Sequence, residues 1–221
     1  MRVLVIGGGG REHALVWKIS QSQKVTDIYC APGNAGTAEI AKNVPIAADQ
    51  IDQLLAFAQK NEIGLTIVGP EQPLVMGIVD QFQEKGLRIF GPTACAAELE
   101  GSKAFSKDIM KKHGLPTAEY ETFSSHKEAQ SYFDKETGPI VVKASGLAAG
   151  KGVILCRNSE EGLNAVNTIM KDKSFGEAGD KVVIEEFLEG QEVSVLAFSD
   201  GKTFLLMDSA QDHKAAFDGD K

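Results

Sequence analysis

The sequence predicts an α/β fold in which a parallel-sheet, Rossmann-like N-terminal domain precedes a domain of the α+β class. Over residues 1–100, short apolar runs alternate with stretches of helical spacing, which indicates a parallel sheet covered by helices on both faces. Over residues 182–207, strands follow one another without a helix, and the last two flank Asp200 and Gly201, a turn pair typical of β-hairpins. We place the domain boundary near residues 100–101.

The elements of the first domain follow from the apolar runs and their spacing. Residues 2–6 and 65–68 are short apolar runs of the kind found in buried parallel strands. The predicted strands are residues 2–6, 28–31, 44–47, 65–68 and 88–90, and the predicted helices are residues 12–21, 51–60 and 75–85.

The second domain begins with a helix over residues 102–113, for which Ser102 supplies an N-cap side chain. Further helices are predicted at residues 125–135 and 160–170. The predicted strands are residues 118–123, 140–143, 153–156, 182–187, 192–198 and 203–207.

Composition excludes several classes of protein. The chain has 23 Lys and Arg against 31 Asp and Glu, a net charge of −8, so it lacks the basic footprint that nucleic acids or anionic membranes require. No apolar run is long enough to cross a bilayer. The three cysteines have no metal-binding spacing and are expected to be reduced core thiols, which favours the cytoplasm. The oligomeric state, monomer or weak dimer, stays open.

The first glycine cluster, residues 7–10, lies between a predicted strand and a predicted helix. That position suits an anion held at a helix N-terminus. The dinucleotide pattern of glycines does not fit, because Glu12 or His13 occupies the place of its third glycine. We therefore disfavour NAD and expect a smaller phosphate, held by this loop and by Arg11.

Three further turns follow strands of the same sheet, at residues 32–36, 69–73 and 91–93. Because parallel strands end at one edge, these turns are expected to converge there with the first glycine cluster. Asn34 and Glu71 are polar residues within two of the turns. Gly and Pro also make ordinary tight turns, but four such loops together favour a binding site.

A second glycine-rich segment, residues 139–153, predicts a phosphate-covering flap. Lys143 ends a strand, and Gly146, Gly150 and Gly152 allow close approach of the backbone to a polyanion, over which Lys151 can lie. The segment is not a P-loop, because glycine replaces the Ser or Thr after the lysine and a strand follows it. The alternative is a glycine-rich hairpin with a solvated lysine.

The chain resembles the ATP-grasp ligases, and among them the glycinamide ribonucleotide synthetase family. The resemblance extends over all 221 residues. It is carried by GGGGREHAL at residues 7–15, APGNAG at 31–36, GPEQPL at 69–74, GSKAFSK at 101–107, VKASGLAAGKGV at 142–153, EEFLEGQEVSV at 185–195 and QDHK at 211–214. Residues 101–221 are then expected to be an incomplete ATP-grasp domain, with a small flap subdomain at 118–188 and the first strands of the main subdomain at 189–221.

The resemblance implies a reaction and a role for each candidate residue. The reaction joins glycine to 5-phosphoribosylamine through glycyl phosphate, with ATP and Mg²⁺ as cofactors. The residues expected at ATP are Lys103, Lys143, Gly146, Gly150, Lys151, Gly152, Glu185, Phe187, Leu188 and Glu192. Those expected at phosphoribosylamine are Gly9, Gly10, Arg11, Asn34 and Glu71, and the expected catalytic residues are Asp212 and Lys214.

The resemblance also indicates which features of the family are expected to be missing from these 221 residues. Ala215 stands where family members carry a basic residue, and the expected Mg²⁺ ligands come after Lys221, so we assign no metal ligand here and expect the 221 residues alone to be inactive. Three alternatives stay open: another ATP-grasp ligase of purine synthesis, a non-catalytic nucleotide-binding module and a nicotinamide-dependent oxidoreductase.

Overall fold

The computed structural model describes residues 1–134, 138–148 and 150–212. The chain divides into two compact units, Met1–Glu186 and Phe187–Lys221. The predicted fold class is confirmed, because a parallel sheet with helices is followed by an antiparallel sheet. The predicted domain boundary at residues 100–101 stays a prediction.

A five-stranded parallel sheet organises the N-terminal part of the first unit. Its strands are β1 (Arg2–Gly7), β2 (Asp27–Pro32), β3 (Lys42–Asn43), β4 (Leu65–Val68) and β5 (Ile89–Phe90). They lie in the order β3-β2-β1-β4-β5, with Val3 opposite both Ile28 and Leu65. The chain therefore winds outward from β1 in both directions, and the carboxyl ends of all five strands meet at one edge.

Six helices accompany this sheet in residues 1–101. They are α1 (Gly10–Ser20), α2 (Ala35–Ala38), α3 (Ile51–Lys60), α4 (Glu71–Val75), α5 (Ile78–Glu84) and α6 (Ala94–Gly101). Alternate residues of β1 face opposite layers. Leu4 and Ile6 pack with residues of α3 and α5, whereas Val3 and Val5 pack with Val16 of α1.

Three sequence predictions for this part are wrong. The helix predicted over residues 75–85 begins only at Ile78, because Gly77 has a φ of +84°, and Val75 is the last residue of the separate helix α4. Helix α6 was not predicted, and the third strand is Lys42–Asn43 instead of residues 44–47. The prediction of three core thiols holds only for Cys30 and Cys156, whose burial raises their thiol pKa, since Cys95 is exposed.

A four-stranded antiparallel sheet completes the first unit. Its strands are β6 (Tyr120–Phe123), β7 (Ile140–Ala144), β8 (Val153–Cys156) and β9 (Val182–Glu186), in the order β6-β9-β7-β8. Helices α8 (His126–Tyr132) and α9 (Ser159–Val166), with a π-helical turn at Asn167–Lys171, pack on one face. Helix α7 (Lys103–Lys112) reaches residues of the opposite face.

The second unit, as far as residue 212, contains a β-hairpin of β10 (Ala197–Ser199) and β11 (Phe204–Leu206). Asp200 closes its turn by accepting hydrogen bonds from the N–H groups of Thr203 and Lys202, and the Thr203 bond is the main cause of the lowered Asp200 pKa. The turn prediction is confirmed, but the first strand is shorter than predicted. No helix among the described residues is long and apolar enough to cross a membrane.

We predict that Leu54→Ala destabilises the chain far more than Leu99→Ala. Leu54 lies on α3 and is fully buried, whereas Leu99 lies on α6 and is 47% exposed. Removing the buried side chain leaves a cavity and should cost about 3 kcal/mol of unfolding free energy, as is usual for Leu→Ala in a core. Urea denaturation checks the difference, and equal losses for the two variants would contradict the assigned core.

Candidate active site

The loops at the carboxyl edge of the parallel sheet lie against one another. The Asn34 side chain donates hydrogen bonds from Nδ2 to the carbonyls of Gly8 (3.0 Å) and Gly9 (3.2 Å), and its Oδ1 accepts one from the Thr37 N–H. The Gly33 N–H donates to the Gly7 carbonyl. The structure therefore brings Gly9, Gly10 and Asn34 together, and the Asn34 amide acts on the loop itself by fixing the backbone at the start of α1.

A buried carboxylate, which sequence reasoning missed, supports this loop. Glu12 is 4% exposed, and its Oε2 accepts a hydrogen bond of 2.6 Å from the Gly9 N–H, as the acidic residue of a capping box does. A side chain at Gly7 or Gly69 would overlap the Glu12 side chain. The two glycines thus leave the space that Glu12 fills. The signal was present in the sequence, since Glu12 stands three residues after Gly9.

Arg11 and Glu71, both predicted to bind substrate, lie side by side. Arg11 Nη1 donates a hydrogen bond of 2.9 Å to Glu71 Oε1. This hydrogen bond is the main cause of a raised Arg11 pKa and of a lowered Glu71 pKa. Because the Arg11 side chain is 69% exposed, the pair contributes little to stability, and its guanidinium remains accessible to an anion.

Lys103 begins the second group of candidate residues, at the N-terminus of α7. Ser102 caps this helix through its hydroxyl, which accepts a hydrogen bond from the Phe105 N–H. The Lys103 N–H donates to the Ser145 carbonyl, and its Nζ donates to the Gly146 carbonyl at 3.1 Å. Burial lowers the pKa of Lys103. The helix start is therefore fastened to the segment that follows β7.

Lys143 and Glu185 meet on the face of the antiparallel sheet that lies opposite α8 and α9. Lys143 forms an ion pair with Glu185 Oε1, and Lys107 lies on the other side of the carboxylate, with Nζ 2.6 Å from Oε2. Sequence reasoning missed Lys107, although it stands four residues after Lys103 and so shares a face of α7. Two lysines thus pair with one buried carboxylate, an arrangement with excess positive charge.

The predicted glycine flap connects the antiparallel strands β7 and β8. A Cβ atom at Gly146 would come within 2.7 Å of Ala178, so this position requires glycine, and Gly150 has a φ of +75°. Lys151 is exposed and Gly152 is buried. Residue 149 lies outside the described residues.

The other predicted residues belong to the second unit. Phe187, Leu188, Glu192 and Asp212 are exposed there. Lys214 lies outside the described residues. Within residues 1–134, 138–148 and 150–212, no group of three or more His, Cys, Asp or Glu residues could hold a metal ion.

Both parts of the chain match domains of one known family. Residues 1–100 match the phosphoribosylglycinamide synthetase N domain, and residues 101–221 match the ATP-grasp (A) domain of the same synthetase. The chain belongs to the phosphoribosylglycinamide synthetase family. The recognition made from the sequence motifs is thereby confirmed.

Individual relatives agree with the family. Over its whole length the chain is 55% identical to a phosphoribosylamine–glycine ligase of Halalkalibacterium halodurans and 54% identical to one of Yersinia pestis, and it covers 52% of each. The crystal structure of the Thermotoga maritima phosphoribosylamine–glycine ligase superposes with a TM-score of 0.81 at 31% identity, over 100% of this chain and 52% of that one. The chain spans about half the length of the curated relatives it matches.

A more distant structure shares the fold. N5-carboxyaminoimidazole ribonucleotide synthetase of Thermotoga maritima matches with a TM-score of 0.68 at 19% identity, over 96% of this chain and 53% of that one. This likeness shows the fold alone.

In this synthetase-family chain, we predict that Gly69→Ala dislodges the Glu12 carboxylate. The new methyl group would overlap Glu12 Oε1 and should break the bond to the Gly9 N–H. Overpacking of this kind typically costs about 1–3 kcal/mol of unfolding free energy, which urea denaturation measures.

Gly10→Ala is the matched control for this variant. A Cβ atom there meets nothing within 4 Å, and alanine favours a helix, so stability should be unchanged or slightly raised. A Gly69→Ala variant as stable as the control would refute the role of Gly69.

Proposed function

We propose that the protein carrying this chain is an ATP-dependent ligase that joins glycine to 5-phosphoribosylamine and gives glycinamide ribonucleotide. The observation that carries the proposal is a group of lysines at the glycine-rich segment: Lys107 and Lys143 pair with Glu185, and Lys103 donates to the Gly146 carbonyl. The chain that contains them is 55% identical to a phosphoribosylamine–glycine ligase. These lysines suit a triphosphate, because their positive charge offsets the negative charge of the phosphate oxygens.

The reaction requires activation of a carboxylate. A glycine carboxylate oxygen attacks the γ-phosphorus of ATP, the bond to the bridging oxygen breaks, and ADP leaves with that electron pair. The amine of phosphoribosylamine then attacks the carbonyl carbon of glycyl phosphate, and phosphate leaves as the nitrogen loses a proton. Positioning and neutralisation of charge supply most of the catalysis in phosphoryl transfer.

The described residues fit the phosphate portion of ATP. We assign Lys103 and Lys143 to its phosphates, and residues 146–152, including Lys151, to the flap above them. Mg²⁺ bound to ATP would neutralise further charge on the phosphates, and a structure of the 2-oxoglutarate carboxylase biotin carboxylase domain of Hydrogenobacter thermophilus, 21% identical to this chain, contains MgADP. The described residues provide no cluster of metal-ligating side chains, so we assign no residue of this chain to Mg²⁺.

Phosphoribosylamine is assigned to the edge of the parallel sheet. The first N–H groups of a helix have no partners within the helix and favour an anion. Glu12 already accepts the hydrogen bond of the Gly9 N–H, so the N–H groups from Gly10 onward are the ones that suit the sugar phosphate. Gly9 and Asn34 shape the loop there, and the exposed Arg11 lies beside Glu71.

The remaining assignments rest on the family resemblance. They are Glu185, Phe187 and Leu188 at the adenine, Glu192 at the ribose, and Asp212 and Lys214 at the reacting groups. We further propose that the enzyme acts on these small molecules in the cytoplasm.

Release of ADP tests the proposed function. In the protein that carries this chain, ADP formation should require both glycine and phosphoribosylamine, and Lys143→Met should lower kcat/KM by about 10²–10³-fold, as loss of an electrostatic contact in a transition state does. The exposed Lys171 provides the control, because Lys171→Met should leave turnover unchanged.

Other substrates distinguish the alternatives. ADP release with bicarbonate or formate in place of glycine would assign the protein to another ligase reaction. ATP binding without turnover on any of these substrates would make it a nucleotide-binding module.

A further inference from the structure

The two lysines that contact Glu185 differ in exposure and position. Lys107 is 12% exposed, and its ammonium group has three partners: Thr117 Oγ1 at 2.7 Å, the Ala118 carbonyl at 3.2 Å and Glu185 Oε2 at 2.6 Å. The first two are hydrogen bonds, and the third is an ion pair. The Lys143 side chain is 27% exposed and stands near the end of β7, where the predicted flap begins. Lys107 therefore lies deeper in the protein, whereas Lys143 is more accessible to a ligand.

Glu185 depends on its two counter-ions. The side chain of Glu185 is 5% exposed, and a buried carboxylate without a cation is strongly unfavourable. If Lys143 turns to the phosphates, Glu185 loses one of its two counter-ions. Without Lys107, the phosphates and Glu185 would compete for the single charge of Lys143.

We propose that Lys107 is a positioning residue that keeps the Glu185 carboxylate neutralised and in place when Lys143 exchanges this carboxylate for the phosphates of a nucleotide. The inference rests on the proposed function and assigns Lys107 a role in the same site. Lys107 does not touch the nucleotide, and it acts only through Glu185.

The ionisable groups around Glu185 come from four elements. Helix α7 provides Lys107, with Lys103 one turn away at the Gly146 carbonyl, and β7 provides Lys143. On β6, Tyr120 lies opposite Glu185, with the Lys107 ammonium 5.3 Å from its ring centre, and its hydroxyl donates to Asp108. On β9 itself, Glu186 is exposed and partly offsets the lowering of the Lys107 pKa by burial. The cations that pair directly with the Glu185 carboxylate are Lys107 and Lys143.

Uptake of protons on nucleotide binding tests the proposal. In Lys107→Met, Glu185 should take up a proton when Lys143 moves to the phosphates, because no other cation pairs with it among the described residues. Calorimetric titration with ADP and a non-hydrolysable ATP analogue, in buffers of different ionisation enthalpy, measures this uptake. We expect about one proton for Lys107→Met, with affinity falling up to about tenfold for each unit of rising pH, and almost none for the unsubstituted protein.

Two further variants separate this role from a general loss of structure. Lys111 lies one turn along α7 and is exposed, so Lys111→Met should bind nucleotide as the unsubstituted protein does. The double variant Lys107→Met with Glu185→Gln removes both charges and should bind nucleotide without proton uptake. If Lys107→Met alone fails to fold, a folded double variant supports the proposal, since the damage then comes from the unpaired carboxylate.

Different results would contradict this inference and the proposed function. Affinity and proton uptake in Lys107→Met equal to those in Lys111→Met would overturn this inference and leave the proposed function standing. A double variant as damaged as the single one would also overturn it. Absence of nucleotide binding by the unsubstituted protein would overturn the proposed function, and this inference with it.

Discussion

The candidate nucleotide site depends on neutralising one buried carboxylate. Glu185 lies almost inaccessible on a sheet face, and burying such a charge is tolerated only when cations and hydrogen bonds compensate it. Lys143 from β7 and Lys107 from α7 supply the charge. The pairing with Lys107 ties α7 to the antiparallel sheet, and Lys103, one turn earlier, then reaches the start of the glycine-rich segment. The same ion pairs therefore place the lysines that we assign to phosphate binding.

This local arrangement explains how a chain of net charge −8 can suit a polyphosphate. The global balance governs long-range attraction, whereas the field within a cleft depends on the nearest charges. The parallel sheet uses the same principle at its carboxyl edge, where the buried Glu12 holds the Gly9 N–H and Asn34 holds two carbonyls of the loop. At the antiparallel sheet, Glu185 positions lysine side chains. At the parallel sheet, Glu12 and Asn34 fix a backbone loop. We propose that an anion binds at each place.

The sequence predicted those features that depend on local pattern. The strand Leu65–Val68 and the helix Ile51–Lys60 have the predicted bounds, because apolar spacing alone defines them. The break at Gly77 could not be recognised, since a glycine inside a helical pattern does not reveal a positive φ. Lys107 was missed because its partner Glu185 is distant in sequence. Glu12 has the spacing of a capping box, but the space that Gly69 leaves for its side chain is visible only in the structure. The motifs identified the family, but the assignment of individual residues to substrates depends on contacts that a sequence does not display.

A crystal structure of the protein with a bound ATP analogue tests the central claim most directly. The decisive distances are those from Lys143 Nζ to the nearest phosphate oxygen and from Lys107 Nζ to the Glu185 carboxylate. Our account predicts Lys143 within hydrogen-bonding distance of a phosphate, with the contact between Lys107 and Glu185 retained. A complex in which Lys143 stays on Glu185 while the phosphates lie elsewhere, or in which Lys107 leaves Glu185, would contradict it.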